Sequence, residues 1–243
     1  MEIKEILDKI ICEDCLTILK KLPDRCIDVV VTSPPYNKQG VGGELVKKVG
    51  YGCCDDNLQE EEYQKWQVDI LNELYRISDV CFYNHKIRYQ NKYAIHPMEW
   101  ILKTKWKLHQ EIIWYRKIAG NIRGWRCWSV DERIYWLVKS PPKEIPIEMA
   151  KWTSVWEISP ENDIPEHPAP FPIEIPMRCI MLASDEHGVV LDPFVGSGTT
   201  AVACKKLDRH FIGIDINPDY CEIARKRLKN TVRPLSLDKF VER

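Results

Sequence analysis

Two consecutive prolines directly behind a run of valines constrain this chain more than any other feature. Asp28-Val29-Val30-Val31 is β-branched and reads as a short buried strand. Thr32-Ser33-Pro34-Pro35-Tyr36-Asn37 follows. Neither proline can donate a ladder hydrogen bond, so strand pairing must stop there. The expected product is a rigid, extended turn at the carboxyl end of a strand, where open α/β sheets carry their chemistry. Such a turn offers carbonyl acceptors, flanked by the Ser33 hydroxyl and the Tyr36 ring. Acceptors beside a flat stacking surface suit a flat substrate that carries an amino group. A plain Pro-Pro loop over a buried tyrosine has the same local sequence. The rest of the chain has to decide between them.

With 243 residues, 44% hydrophobic and 29% charged, the chain can bury a proper core as one domain or as one domain with an insertion. Its apolar runs are too short to span a membrane. Met1-Glu2-Ile3-Lys4-Glu5 lacks the basic-then-apolar order of a signal peptide, so a cytoplasmic protein is expected. In a reducing compartment most of the ten cysteines are expected to be free thiols. Cys12 and Cys15 have Cys-x-x-Cys spacing, but no second such pair and no His pair completes a ligand set, so no metal site is expected. The net charge is only −1. Its distribution is more telling, because Lys86 to Lys143 holds 13 lysines and arginines against four acids, Glu99, Glu111, Asp131 and Glu132. A basic middle fits a polyanion on one face.

Lys9 to Glu13 reads as a short strand closing on Asp14, followed by a helix from Cys15 to Leu22 that Pro23 stops. Asp14 either caps that helix or points across a strand end toward a ligand. Five of the 11 glycines (Gly40, Gly42, Gly43, Gly50, Gly52) fall in one loop, which is either a lid over a site or a plain surface loop. Tyr63, Trp66, Ile70 and Leu74 predict a helix over Glu60 to Ile77 whose aromatic stripe belongs to the core. Val80 to Tyr83 is the next strand, paired in parallel with the one before Ser33. Pro97 is expected to open a helix running to Lys105. Glu111–Tyr115 and Arg133–Val138 are strand-like, and the connection between them, Arg116 to Trp128, is basic and studded with aromatics. Arg123, Trp125 and Arg126 there are candidates to enter a DNA groove or stack on bases, against a solvated hairpin tip as the plain reading. From Pro141 to Pro176 proline is dense, which reads as a tethering stretch over the surface.

A second constellation lies near the far end. Val189 to Phe194 is a buried strand running into Val195-Gly196-Ser197-Gly198-Thr199-Thr200, and a helix through Leu207 follows. Strand, glycine turn and helix let a ligand approach backbone and a helix N-terminus. The third glycine of the dinucleotide fingerprint is absent, since Ala201 follows Thr200, and this argues against an NAD enzyme. His210 to Ile214 is another strand, ending on Asp215, where a carboxylate can accept both hydroxyls of a ribose. Asn217-Pro218 then opens a helix with Tyr220, Ile223, Ala224 and Leu228 inward.

The two constellations together resemble the DNA amino-methyltransferases that use S-adenosylmethionine. Thr32-Ser33-Pro34-Pro35-Tyr36 ahead of Asp192-Pro193-Phe194-Val195-Gly196-Ser197-Gly198-Thr199-Thr200 looks like their circularly permuted β group, and His167-Pro168-Ala169-Pro170-Phe171-Pro172 resembles its segment before the cofactor loop. Ile10 to Tyr36 and Glu166 to Leu228 carry the likeness, while Lys38 to Asp163 matches only loosely. The resemblance implies a Rossmann-like α/β fold, mostly parallel and seven-stranded with one antiparallel strand and helices on both faces. It implies one catalytic domain over residues 1–243 with a target-recognition insertion within 86–163. By resemblance, Ser33, Pro34, Pro35 and Tyr36 are the catalytic turn. Asp14, Phe171, Asp192, Phe194, Gly196, Ser197, Gly198, Thr199, Thr200 and Asp215 form the S-adenosylmethionine site. The partner implied is double-stranded DNA, and the resemblance admits a cognate restriction endonuclease and a second copy of the chain. Ser-Pro-Pro-Tyr looks like the cytosine-N4 pattern, whereas Asp- or Asn-Pro-Pro-Tyr looks like adenine-N6. A nucleotide-binding α/β module without transfer chemistry is the rival of another class, and RNA or protein methyltransferases resemble the unpermuted order.

Overall fold

The computed structural model describes residues 1–37, 58–120, 123–160 and 172–232. In chain order the elements are β1 (Lys9–Cys12), α1 (Cys15–Leu19), β2 (Val29–Thr32), α2 (Glu60–Ile77), β3 (Val80–His85), β4 (Arg88–Gln90), β5 (Tyr93–Ile95) and α3 (Met98–Ile101). They continue with β6 (Lys107–Gly120), β7 (Ser129–Val138), α4 (Ile147–Ala150), β8 (Val155–Glu157), α5 (Glu174–Ala183), β9 (Val189–Asp192), α6 (Thr199–Lys206), β10 (His210–Asp215) and α7 (Pro218–Asn230).

Eight strands form one sheet in the order β1-β10-β9-β2-β3-β7-β6-β8. The first five run parallel, β7 is antiparallel to β3 and β6, and β8 is parallel to β6. Only β7 is therefore reversed, as expected, but the strand count is eight and not seven. The additional strand is β8, which the dense prolines on either side disguised as a surface tether. Three residues between them suffice to pair with Ile113–Tyr115 at the sheet edge, where proline is tolerated. β6, β7 and β8 of the main sheet also fall within residues 86–163, the range expected to contain the target-recognition insertion. Two predicted helices are shorter than expected. α1 stops at Leu19 before a turn to Leu22, and α3 stops at Ile101. Thr104 explains the second, since its hydroxyl takes the Ile101 carbonyl at 2.6 Å and diverts the last turn.

Side chains of a strand alternate between faces. Val29 and Val31 pack with Met177, Cys179 and Ile180 of α5, Ala201 and Ala203 of α6, and Ala224 of α7. Val30 packs on the other face with Leu19 of α1, Trp100 of α3, and Tyr63, Ile70, Leu71 and Leu74 of α2. The predicted stripe of α2 is therefore core, with Trp66 only half-buried at its site end. Deleting the buried side chain of a residue such as Leu74 costs about 2–5 kcal/mol. Both faces of the sheet are covered, which is why its parallel strands read as unbroken apolar runs.

Candidate active site

β9 and β2 are neighbours, with Val29 opposite Val190 and Val30 opposite Leu191. From β9 the chain crosses through α6 to β10 on one side; from β2 it crosses through α2 to β3 on the other. The two following turns part, and a crevice opens at the carboxyl ends of these strands. The Pro-Pro turn and the glycine turn are the two walls of this switch point. Asp192 joins them. Its Oδ1 accepts from the Thr32 hydroxyl at 3.0 Å and the Phe194 N–H at 3.1 Å, and its Oδ2 accepts from the Thr200 hydroxyl at 2.6 Å. Burial pushes its pKa up to about 6, and these three donors oppose the shift.

The Pro-Pro turn is held by side chains from three other elements. Ser33 Oγ lies 2.9 Å from Tyr36 Oη and 3.1 Å from Asn84 Oδ1. Tyr36 Oη is 2.8 Å from Asn84 Oδ1 and 2.9 Å from Glu132 Oε2. Asn84 is the penultimate residue of β3 and Glu132 the fourth of the reversed strand β7; Arg116 of β6 pairs with the other Glu132 oxygen at 3.0 Å. Below the turn, the Tyr63 hydroxyl donates to the Pro35 carbonyl at 2.7 Å while Gln67 donates to it at 2.9 Å. His85 Nε2 is 2.7 Å from the same hydroxyl, and the Tyr36 ring lies 4.6 Å from the His85 ring. Burial, with Arg88 and Lys86 nearby, holds the His85 pKa well below its ordinary value. Pro34 is buried and Ser33, Pro35 and Tyr36 are half-buried, so the turn is anchored with its polar edge accessible.

The glycine turn has the geometry a nucleoside-bearing cofactor needs. Gly196 and Gly198 have φ of 49° and 86°, the left-handed region that glycine occupies without strain. A Cβ on Gly198 would stand 2.8 Å from Ala224 Cβ, so helix α7 closes against the turn because no side chain intervenes. Gly198 caps α6, whose first N–H groups have no carbonyl partner within the helix and suit an anion. Asp215 accepts from the Gly196 N–H and the Asn217 N–H, both at 2.9 Å, with the Ile216 N–H also directed to it, and its remaining lone-pair capacity suits a ribose hydroxyl. Burial raises its pKa, opposed by these N–H donors. Phe194 packs edge-on against Trp66 at 5.5 Å. The donor set fits a ligand with a carboxylate at one end and a ribose at the other.

Several predicted residues turn out to build scaffold at the same place. Ser197 and Thr199 are buried with their hydroxyl oxygens 3.0 and 3.2 Å from Arg227, and the Thr200 hydroxyl is spent on Asp192. Asp14 caps α1, accepting from the Thr17 N–H at 2.8 Å and the Thr17 hydroxyl at 2.9 Å. His167 to Phe171 and the glycine-rich loop from Gly40 to Gly52 lie outside the described residues.

The basic segment divides. Lys107 faces Val138, and Lys139 pairs with Asp79, at the end of the sheet remote from the crevice. Arg88 is committed to Glu60, Lys117 to Glu157, and Arg133 to Glu111 and Asp131. Arg126 donates to the Ser129 hydroxyl at 2.7 Å and stacks 4.6 Å from the Tyr89 ring and 5.7 Å from the Trp125 ring. Tyr89 and Trp125, each 40% exposed, meet edge-on at 5.3 Å. Tyr89 belongs to the β4–β5 hairpin, which the sequence reading missed although Asn91 and Lys92, both at positive φ, are its two-residue turn.

Asn84, His85, Tyr63 and Glu132 were also missed. Asn84-His85 directly after an apolar strand is a polar strand end and a legible signal. Glu132 gives none, because it reaches the turn only through an antiparallel pairing.

Fold and site together define a Rossmann-like methyltransferase with its crevice at the switch point. Comparison with known proteins places it further. The profile of the family described as DNA methylase, spanning N6 and N4 methyltransferases, matches residues 27–226. The chain is 31% identical over 250 residues to the type II methyltransferase M.HpaI of Haemophilus parainfluenzae, covering 90% of this chain and 74% of that one. It is 27% identical to M.ScaI of Streptomyces caespitosus, covering 91% and 81%. Among solved structures, the PvuII cytosine-N4-specific DNA methyltransferase superposes with a TM-score of 0.71 at 17% identity, covering 93% of both chains. The M1.HpyAVI–SAM complex gives 0.60 at 20% identity, covering 90% and 99%. The chain belongs to the DNA methylase family, the S-adenosylmethionine-dependent amino-methyltransferases of DNA.

Proposed function

We propose that this chain methylates N4 of cytosine, flipped out of double-stranded DNA, at one recognition sequence. The observation that carries the reading is Ser33, a hydroxyl in place of a carboxyl or amide, at the head of the Pro-Pro-Tyr turn on the switch point. A flat base stacks on Tyr36, and its exocyclic amine donates to Ser33 Oγ and the Pro34 carbonyl. Two acceptors in the amine plane localise the nitrogen lone pair and fix its direction, so alignment lowers the barrier without a covalent enzyme intermediate. S-adenosylmethionine, when bound, supplies an electrophilic methyl group for in-line displacement. Gly196, Gly198 and the first N–H groups of α6 hold its amino-acid end, Asp215 its ribose, and Phe194 flanks its adenine. Asp192, Ser197, Thr199 and Thr200 keep that turn in register with the Pro-Pro turn.

Arg123, Trp125 and Arg126 make the DNA contacts in this reading, joined by Tyr89. The target-recognition insertion then lies within residues 86–163 of one catalytic domain, on the hairpins that carry Tyr89 and Trp125. The PvuII enzyme, described as cytosine-N4-specific, supports the choice of base through a shared fold, and adenine N6 is the alternative within the same chemistry. The type II description of the relatives supports a cognate restriction endonuclease as partner.

Digestion of methylated duplex DNA to nucleosides followed by mass spectrometry tests the base. N4-methylcytosine is expected. N6-methyladenine as sole product overturns the choice of base and keeps the amine chemistry, whereas 5-methylcytosine overturns both.

A further inference from the structure

Four oxygen–oxygen contacts of 2.8–3.1 Å link Ser33 Oγ, Tyr36 Oη, Asn84 Oδ1 and Glu132 Oε2. The Ser33 and Tyr36 hydroxyls supply two protons to these four contacts. The Asn84 amide cannot be flipped to supply another, because its Nδ2 donates to the Arg133 carbonyl at 2.9 Å. Glu132 is 7% exposed, and Arg116 pairs with its far oxygen at 3.0 Å, which leaves Oε2 turned to Tyr36. These contacts form a continuous hydrogen-bonded path from Ser33, the residue assigned to the substrate amine, through Tyr36 to Glu132.

We propose that Glu132 is the terminal proton acceptor of a relay that runs from the substrate amine through Ser33 and Tyr36. The inference rests on the amine-methylation reading above. When the amine nitrogen bonds to the transferred methyl, the carbon–sulfur electron pair leaves with sulfur, and the nitrogen becomes cationic. One nitrogen proton passes to Ser33 Oγ, the Ser33 proton to Tyr36 Oη, and the Tyr36 proton to Glu132 Oε2. The methylated base ends neutral and Glu132 ends as a neutral acid, which returns its proton to water when the product leaves. The hops span 2.9 Å from Ser33 to Tyr36 and 2.9 Å from Tyr36 to Glu132, both hydrogen-bond distances. The charged and titratable groups around the acceptor are Arg116 from β6, Tyr36 from the turn, Lys86 after β3 with its ammonium 5.1 Å from the Tyr36 ring, and Asp131 and Arg133 on its own strand. Glu132 acts through Tyr36 and is a positioning residue for proton flow, not a substrate contact.

Glu132→Gln keeps an oxygen to accept from Tyr36 but cannot take a proton, and Tyr36→Phe keeps the stacking ring but breaks the relay. Single-turnover methylation of duplex DNA is to be measured for both from about pH 5 to 9, with cofactor affinity by calorimetry, DNA affinity and melting temperature alongside. Each variant is expected to lose on the order of 10²-fold in rate while both affinities hold, and the acid-side fall in the wild-type rate is expected to vanish in Glu132→Gln. A Glu132→Gln enzyme with wild-type rate and pH profile overturns the relay and leaves Glu132 as a strut for the ring. If Glu132→Gln does not fold, Tyr36→Phe decides alone, and wild-type turnover there overturns the proposal. Wild-type protein that transfers no methyl to a DNA amine defeats the underlying reading instead.

Discussion

Asp192 is the only acid among the described residues that ties the two turns together, and it does so at a loss that can be measured. Its carboxyl is pushed from 3.8 to about 6 by burial. A shift of about two units corresponds to roughly 3 kcal/mol of preference for the neutral form. Between those two values the native chain holds a proton on Asp192 that the unfolded chain has released. Native stability therefore falls as pH rises through this window, and the contribution is fully lost once Asp192 is ionised. Asp192→Asn removes the titration while sparing the geometry: Oδ1 still accepts from Thr32 and Phe194, and Nδ2 can donate to the Thr200 hydroxyl. Urea unfolding of both proteins, repeated from about pH 4 to 7, cancels every other titrating group. The wild type is expected to lose about 3 kcal/mol relative to the variant across that span. Parallel stability curves would show that Asp192 is not the buried, desolvated acid described here.

Removing the Asp215 carboxylate in Asp215→Ala is expected to weaken S-adenosylmethionine binding by about 1–3 kcal/mol, read by calorimetry; unchanged affinity rejects the ribose placement. Gly198→Ala forces φ of 86° on a residue with a Cβ and drives that Cβ onto Ala224, so a stability loss above about 1–2 kcal/mol is expected in thermal unfolding. Tyr63→Phe strips the buried donor from the Pro35 carbonyl and the partner from Gln67; a destabilisation of about 1–3 kcal/mol is expected, with turnover falling more than cofactor affinity. Neutralising Arg123 and Arg126 together is expected to lower DNA affinity and flatten its log–log salt dependence by about one unit for each phosphate no longer neutralised, and an unchanged slope removes them from the phosphate face.

The sequence was most readable where one short segment does one job. Val29–Thr32 ended where proline forbids a ladder bond, and α2 began and ended where its apolar stripe does. Asn217 and Pro218 opened α7 as cap and first-turn proline, with the Asn217 side chain accepting from the Asp219 N–H at 2.9 Å. What stayed hidden depends on distant pairing. β8 is three residues long and gains its partners only from β6, so no local pattern announces it. The excess positive charge of Lys86–Lys143 misled in part for the same reason: antiparallel β6 and β7 carry its members to both ends of the sheet, and acids on other elements neutralise several.

The hidden members of the site share one origin in topology. A parallel strand brings only its carboxyl end to the crevice, so β2, β3, β9 and β10 each deliver the residues that follow an apolar run, and those can be read in sequence. β7 runs the other way and delivers residues from its start, placing Arg133 opposite His85 and Glu132 beside Tyr36, 96 residues distant in the chain. One reversed strand therefore sets a carboxylate against the back of the turn, with β6 beside it to supply Arg116. The crevice itself asks only that β2 and β9 be neighbours and that the chain leave them in opposite directions. Thr32 and Asp192 are 160 residues apart and meet at 3.0 Å, so which of the two turns comes first in the chain has no bearing on the site they form. A permuted order of motifs is thus compatible with an unchanged active site, because the contact that matters is lateral, between strand ends, and not sequential.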